Sequence, residues 1–246
     1  MTRTVLRLEN QALDEAVVVA PVGRLDVATY RQLRDHLIKV GTDNPRAIVV
    51  DLNGLEIESD STLAIFPAVH TRLQVWPGVP LLLVSGTGRV RTRLARNRTA
   101  RYLPVLETIA EAMAALDDPP PCRVAHVQLP NSLASPRLAR EFVRLTCVDW
   151  NLELLLDDAL LLVGELVTNA VMHTYSAPSV RLELRRNVFS VAVRDDTPGE
   201  INMRDPGGDA AGIHGLLLVA QIATVWGCSP TSSGGKVVWA TLRTRR

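Results

Sequence analysis

In the first half of the chain, short apolar runs alternate with longer segments in which apolar residues recur at helical spacing. The runs are rich in β-branched residues and typical of buried strands; they are Ala16–Pro21, Ala47–Leu52 and Pro80–Ser85. The helical segments are Asp26–Val40, Ser61–Trp76, Arg89–Arg98 and Glu107–Leu116. Asp26 is a candidate N-cap for the first of these helices. The alternation predicts an α/β sandwich with crossover connections.

The second half has a different order of elements. Its predicted strands are Arg123–Gln128, Val180–Arg186, Val188–Arg194, Trp226–Pro230 and Lys236–Leu242. Its predicted helices are Ser135–Val148, Leu155–Thr174 and Gly215–Val225. The second and third strands are separated by Arg186-Asn187, as in a tight hairpin. This order predicts an α+β fold with helices on one side of a mostly antiparallel sheet.

A proline-rich segment separates the two patterns. Asp117-Asp-Pro-Pro-Pro121 cannot continue a helix, and its two aspartates favour exposure to water. The chain is therefore predicted to contain two domains, residues 1–116 and 123–246, joined by a short stiff linker at residues 117–122.

The amino-acid composition excludes several classes of protein. Of 246 residues, 47% are hydrophobic and 22% are charged, which excludes a disordered chain. The net charge of +1 gives no reason to expect nucleic acid or a membrane surface as a partner, and no apolar run approaches the roughly 20 residues of a membrane span. Cys122, Cys147 and Cys228 are too scattered for a disulfide framework or a zinc site. We expect reduced thiols in a cytoplasmic protein.

Three polar side chains share one face of the predicted helix Leu155–Thr174. Glu165, Asn169 and His173 lie four residues apart, so they follow one another along the helix. A carboxamide oxygen suits Mg²⁺, and a carboxylate one turn away can accept a proton from an attacking hydroxyl. An amphipathic helix with an ordinary polar face has the same spacing, so this segment alone leaves both interpretations open.

Two further motifs follow along the chain. Asp195-Asp-Thr-Pro-Gly199 ends a predicted strand, and its carboxylate can accept from an exocyclic amine such as that of adenine. Gly212-Ile-His-Gly-Leu216 is predicted to precede a helix, whose N-terminal amides favour phosphate. Each glycine motif is weak by itself, but the three motifs in this order form a strong signal.

In this order, the motifs resemble those of the GHKL-type ATPase domain, and within it residues 123–246 are most similar to the bacterial anti-sigma factor serine kinases. The resemblance implies a two-layer Bergerat fold that binds ATP and Mg²⁺, with Asn169 as metal ligand, Glu165 as general base and Asp195 holding the adenine amine. The other residues that it assigns to nucleotide binding are His173, Gly199, Gly212, His214, Gly215 and Leu216. Thr197 and Ile213 depart from the pattern, since each stands where the family usually has glycine.

Residues 1–116 resemble a STAS domain, the fold of anti-sigma factor antagonists. The resemblance rests on Gly23-Arg-Leu-Asp26 and on the strand-to-helix segment Val50–Ala64. Antagonists carry Asp-Ser-Ser-Gly at the end of this segment, and the partner kinase phosphorylates the second serine. Here the four residues are Ser59, Asp60, Ser61 and Thr62. The resemblance implies Ser61 as the phosphoacceptor, although a serine at this point can equally be a helix N-cap.

Three functions are compatible with these observations. The first is an ATP-dependent serine/threonine protein kinase and anti-sigma-type regulator fused to a STAS antagonist domain. The second is a non-enzymatic switch in which nucleotide changes a protein-binding surface. The third is a sensor histidine kinase fragment, which is disfavoured because no helical pair with a phosphoacceptor histidine precedes residue 123. The resemblance implies as partners a STAS protein, in cis or in trans, and a sigma factor; it also allows a homodimer.

Overall fold

The computed structural model describes residues 6–97, 99–116, 122–174, 176–198 and 210–244, with residues 210–214 described by their backbone alone. The chain divides into two compact units, Met1–Pro119 and Pro120–Arg246. Each unit has its own hydrophobic core. Residues 117–121 of the predicted linker lie outside the described residues. No helix in the described ranges is long and apolar enough to span a membrane.

The first unit is built on one mostly parallel sheet. Its strands are β1 (Arg7–Leu13), β2 (Ala16–Leu25), β3 (Ile48–Asp51), β4 (Leu55–Ile57), β5 (Leu81–Val84) and β6 (Val105–Leu106). The strand order is β1-β2-β3-β5-β6, and β4 pairs with the end of β2. Only β1 runs antiparallel to its neighbour among these pairs. The sheet confirms the parallel crossover arrangement expected from the alternating pattern.

Helices cover both faces of this sheet. They are α1 (Val27–Thr42), α2 (Ile65–Val75), α3 (Gly88–Arg96) and α4 (Ile109–Ala114). The first three pack with one face of β2, β3 and β5, and α4 packs with the other. Burial on both faces explains why these strands read as continuous apolar runs. Asp26 is confirmed as the N-cap of α1, where its carboxylate accepts from the Ala28 and Thr29 amides.

In its described residues, the second unit has three α-helices and an antiparallel sheet. Its strands are β7 (Cys122–Gln128), β8 (Ser179–Arg185), β9 (Val188–Asp195), β10 (Val225–Pro230) and β11 (Lys236–Arg243), in the order β10-β11-β9-β8-β7. Its helices are α5 (Ser135–Asp149), α6 (Leu156–His173) and α7 (Ala210–Ile222). Alternate residues of β8 and β9, such as Leu182 and Val191, join the helices in one core. The predicted α+β class is confirmed for the described part of this unit.

The structure has three strands that the pattern does not predict, β1, β4 and β6, and it differs from the prediction in two helix starts. Hydrophobic periodicity does not predict these strands, because β1 has a polar sequence and because β4 and β6 are only a few residues long. The segment predicted as one helix from Ser61 is a 3₁₀ turn, Asp60–Ala64, followed by α2. The helix predicted from Gly215 begins at Ala210. Gly212–Leu216 therefore lies inside α7, and its prediction as a loop before the helix was wrong.

Gly41 provides a test of the packing between α1 and α2. A Cβ at this position would lie 2.3 Å from Leu73 Cδ2, and Leu73 is fully buried. We expect Gly41→Ala to lower the free energy of unfolding by about 1–3 kcal/mol, because the overpacked side chain must shift.

Gly88→Ala is the matched control, since a Cβ there meets no atom within 4 Å and Gly88 is also helical. It should leave stability unchanged or raise it by up to about 1 kcal/mol. Chemical denaturation of both variants measures the difference. Equal stabilities would contradict the close α1–α2 contact.

Candidate functional site

Helix α6 presents a polar face and an apolar face. Its apolar residues are buried against the sheet, in contact with β9 and β11, and include Leu162, Val163, Leu166, Val167 and Ala170. On the other side, Glu165 and Asn169 are half-buried, and His173 is exposed at the last residue of the helix. The structure thus has the predicted spacing of Glu165, Asn169 and His173 on one continuous helix.

Gly215 brings α7 close to the Glu165 carboxylate. A Cβ on Gly215 would lie 2.3 Å from Glu165 Oε2, so only a glycine lets this carboxylate lie beside the α7 backbone. Neither Glu165 nor Asn169 makes a side-chain hydrogen bond or ion pair with another described residue.

Asp195 is a buried carboxylate at the end of β9. It is 2% exposed, and its Oδ1 accepts hydrogen bonds from Lys236 Nζ and from the Thr197 amide, each at 2.9 Å. Lys236 Nζ also donates to the Thr197 carbonyl at 3.1 Å. Lys236 begins β11 and lies directly opposite Asp195 in the β9–β11 register. Sequence reasoning missed Lys236, because 41 residues separate the two partners and no local pattern links them.

Two glycines shape the chain around this carboxylate. Gly234 has φ +102°, a left-handed conformation that favours glycine. A Cβ on Gly235 would lie 2.2 Å from the Asp195 carbonyl oxygen. The turn before β11 can therefore approach the end of β9 closely enough to place Lys236 on Asp195.

The other predicted nucleotide-site residues are placed only in part. Gly199 lies outside the described residues, as do the side chains of Ile213 and His214. Gly212 is placed by its backbone in α7, and Leu216 is buried on the same helix. Thr197, the first departure from the family pattern, contributes its backbone amide and carbonyl to the Asp195–Lys236 cluster.

The polar side chains of α6 suit a Mg²⁺ ion that is coordinated mainly by the phosphates of a bound ligand and only in part by the protein. No group of three or more His, Cys, Asp or Glu side chains that could hold a metal occurs among the described residues. Mg²⁺ commonly takes one or two protein oxygens together with phosphate oxygens and water. The half-buried Asn169 carboxamide fits that arrangement, because it has no hydrogen-bond partner elsewhere in the described chain.

Two of the three cysteines have unreactive thiols. None of the three cysteines forms a disulfide. Burial raises the pKa of the Cys147 thiol to about 11, and burial together with the neighbouring Glu183 raises that of Cys122 to about 11. Both thiols are therefore protonated near neutral pH, and the thiolate is the reactive form.

In the first unit, the predicted phosphoacceptor lies in an exposed 3₁₀ turn before α2. The N-cap of the turn is Ser59, whose Oγ accepts from the Ser61 amide, so the interpretation of Ser61 as the cap was wrong. The two hydroxyl oxygens are 2.6 Å apart. Ser61 is exposed, whereas Thr62 is buried and donates its hydroxyl to the Ser59 carbonyl at 2.7 Å.

Residues at α3 bind Asp60 and screen its charge. Arg93 Nε donates to Asp60 Oδ1 at 2.7 Å, and Arg93 Nη1 donates to the Ile57 carbonyl at 2.7 Å. Asn97 Nδ2 donates to the Asp60 carbonyl. The negative charge beside Ser61 is therefore partly neutralised by a guanidinium that also fixes the turn to α3.

A scan against protein-family models matches residues 7–112 to the STAS domain. These residues form a STAS domain. The match includes β1 to β6 and the Ser59–Thr62 turn, and it ends before β7. The ATPase resemblance of residues 123–246 therefore stays a prediction. No curated protein matches the chain.

Solved structures of antagonist proteins are similar to the STAS part. An anti-sigma factor antagonist from Mycobacterium paratuberculosis is 23% identical, with 46% of this chain and 96% of that chain covered and a TM-score of 0.40. A putative anti-sigma factor antagonist from Thermotoga maritima is 19% identical, with 45% and 95% covered and a TM-score of 0.40. An anti-sigma-factor antagonist (STAS) domain protein from Planctomyces limnophilus is 17% identical, with 44% and 96% covered and a TM-score of 0.38.

Arg93→Ala tests how firmly the STAS turn is fixed. This substitution removes the donors to Asp60 and to the Ile57 carbonyl, so we expect the free energy of unfolding to fall by about 1–2 kcal/mol. Asp60→Ala should cost less. The coupling in the double-mutant cycle should stay below about 1 kcal/mol, because Asp60 is exposed to solvent.

Arg96→Ala is the control on the same helix, since the exposed Arg96 makes no hydrogen bond or ion pair with another described residue. It should change stability by less than about 0.5 kcal/mol. Urea denaturation provides all four values. If Arg93→Ala is as stable as Arg96→Ala, α3 does not brace the turn.

Proposed function

We propose that the chain is a bacterial partner-switching regulator in which a STAS domain is joined to an ATP-dependent serine/threonine protein kinase domain. The observation that carries the proposal is the placement of the half-buried Glu165 and Asn169 one turn apart on α6, away from its buried apolar residues, with α7 beside Glu165 at Gly215. The STAS match at residues 7–112 supports the regulatory half, because its similar structures are named as anti-sigma factor antagonists.

Nucleotide recognition would be shared between the sheet and α6. Asp195 would accept a hydrogen bond from the adenine amine, since its carboxylate is ordered and buried at the end of β9. Asn169 would offer its carboxamide oxygen to Mg²⁺. Bound Mg·ATP would supply the γ-phosphoryl group for transfer, and ADP would be the leaving group. The backbone amides at the start of α7, which begins at Ala210, would favour the phosphates.

Glu165 would act on the acceptor hydroxyl. A carboxylate that makes no hydrogen bond to the described chain can accept the proton of a serine hydroxyl as the oxygen attacks phosphorus. It lies one helical turn from Asn169, and a turn of α-helix rises about 5.4 Å, a separation that suits a base beside a metal-bound phosphate. In this proposal, phosphoryl transfer depends on Glu165, whereas nucleotide binding does not.

A non-enzymatic switch is the second candidate. The contact of Glu165 Oε2 with α7 at Gly215 favours it, because a carboxylate that stays there would couple α6 to α7 without taking a proton. Nucleotide would then change only a protein-binding surface. The two functions differ in their dependence on the charge of Glu165. A sensor histidine kinase fragment has no comparable observation in its favour.

Glu165→Gln separates the two candidates. The amide keeps the size of the side chain but cannot act as a base. We expect ATP affinity to be preserved and phosphoryl transfer to fall by about 10²- to 10⁴-fold. Calorimetry with Mg·ATP measures binding, and labelled ATP with a STAS antagonist protein as acceptor measures transfer by the full chain.

Glu153→Gln makes the same change at an exposed position before α6 and serves as the control. Transfer in this variant should equal that of the wild type. An unchanged transfer rate in Glu165→Gln would favour the non-enzymatic switch. Absence of Mg-dependent ATP or ADP binding by the wild type at millimolar concentration would contradict both candidates.

The STAS half would act as the substrate or docked partner of a kinase domain, in the same chain or in another. Ser61 is exposed, as an acceptor must be, and Arg93 reduces the repulsion that Asp60 would exert on a phosphate. A sigma factor would be the target that the switch releases or retains. A short linker keeps the two domains at high effective concentration, so even a weak contact would be populated.

Phosphate mapping tests the acceptor. After incubation of the full chain with Mg·ATP and a kinase of the partner-switching type, we expect phosphate on Ser61 and none on Ser59. Ser61→Ala should abolish the modification, whereas Ser59→Ala should retain it, although the lost cap weakens the turn by about 1 kcal/mol. Mass spectrometry of the intact protein and its peptides gives the site. Equal phosphorylation of Ser61→Ala and wild type would contradict the assignment.

A further inference from the structure

We propose that Lys236 is the positioning residue that makes the Asp195 site selective for a base carrying an exocyclic amine. This inference rests on the proposed nucleotide binding and adds a specificity determinant to it. Lys236 is not among the residues that the sequence motifs assign to the nucleotide.

The geometry places the pair on the side of the sheet that faces α6. In the β9–β11 register, Val193 pairs with Val238 and the next pair on the same face is Asp195 with Lys236. Val193 and Val238 belong to the core that α6 closes. The ion pair therefore caps one end of this core, with side chains 2% exposed for Asp195 and 13% for Lys236.

Both hydrogen bonds to the Asp195 carboxylate are made to the same oxygen. Oδ1 accepts from Lys236 Nζ and from the Thr197 amide, each at 2.9 Å. Among the described residues, no donor reaches Oδ2. Lys236 Nζ is itself fixed a second time by the Thr197 carbonyl at 3.1 Å. The carboxylate consequently cannot rotate without breaking two bonds, and Oδ2 remains as the acceptor for a ligand.

Lys236 also determines how Oδ2 is presented to a ligand. Lys236 Nζ and the Thr197 amide hold the carboxylate through Oδ1, so Oδ2 keeps one position, in which a carboxylate oxygen can only accept. Adenine presents an amine donor at the position where guanine presents a carbonyl acceptor. The carboxylate thus accepts from adenine and opposes the guanine carbonyl. Without the ammonium, one of the two hydrogen bonds that fix the carboxylate is lost, and the carboxylate can rotate away from the amine.

The experiment compares Mg·ATP and Mg·GTP affinities of the full chain by calorimetry. Lys236→Met keeps the side-chain length and removes the charge, whereas Lys236→Arg keeps the charge. We expect the ATP-over-GTP preference to fall by about 10- to 100-fold in Lys236→Met, the range for losing a hydrogen bond to a charged group, and to be largely retained in Lys236→Arg. Lys39→Met makes the same change at an exposed position of α1 and should leave the preference unchanged.

A double variant tests the proposal in case Lys236→Met does not fold. If Lys236→Met unfolds because a buried carboxylate has lost its cation, Lys236→Met/Asp195→Asn removes both charges. This double variant should fold and bind both nucleotides with little preference, because an amide can donate as well as accept. Retention of the wild-type preference in the double variant would overturn the inference.

The other outcomes are equally decisive. An unchanged preference in folded Lys236→Met shows a purely structural ion pair and overturns the inference, while the proposed ATP binding stands. Tighter ATP binding by Lys236→Met shows that the ammonium competes with the base for Asp195 and overturns it as well. If the wild type binds neither nucleotide at millimolar concentration, the proposed function fails and this inference fails with it.

Discussion

The packing of α6 against β9 and β11 is the contact on which the second unit depends. The apolar side of this helix is buried, so the half-buried Glu165 and Asn169 lie on the side turned away from the sheet. The same strands determine the place of Asp195, because β9 ends where β11 begins. A shift of the β9–β11 register by one residue would turn Asp195 and Lys236 to opposite faces of the sheet and disassemble the site.

The STAS unit combines a rigid frame with one exposed turn. The central strands β2, β3 and β5 are buried on both faces, and the 3₁₀ turn Asp60–Ala64, capped by Ser59, follows β4. Arg93 ties the turn to α3 through Asp60 and through the Ile57 carbonyl. A modification there would act on a short segment with defined anchors, and its effect would be local electrostatics rather than rearrangement of the core.

Periodicity was sufficient for the elements that bury a regular face. It located the buried strands and long helices of both units, and the N-cap at Asp26, because each is determined by residues close in sequence. It missed β1, whose stability comes from pairing with β2 rather than from its own apolar residues. It also missed Lys236 and Arg93, since their partners lie 41 and 33 residues away and are brought near only by sheet register and helix packing.

The Asp195–Lys236 pair is difficult to explain by stability alone. Desolvation of two charges offsets most of their attraction, and apolar residues of similar volume at such positions are often neutral or stabilising. The neighbouring pair on the same face, Val193 and Val238, is the apolar alternative that the same two strands already use. A charged pair at the next position therefore removes little apolar packing and provides a fixed hydrogen-bond acceptor at the edge of the core. The stability of the sheet does not require this charged pair, but a site that discriminates between hydrogen-bonding partners does.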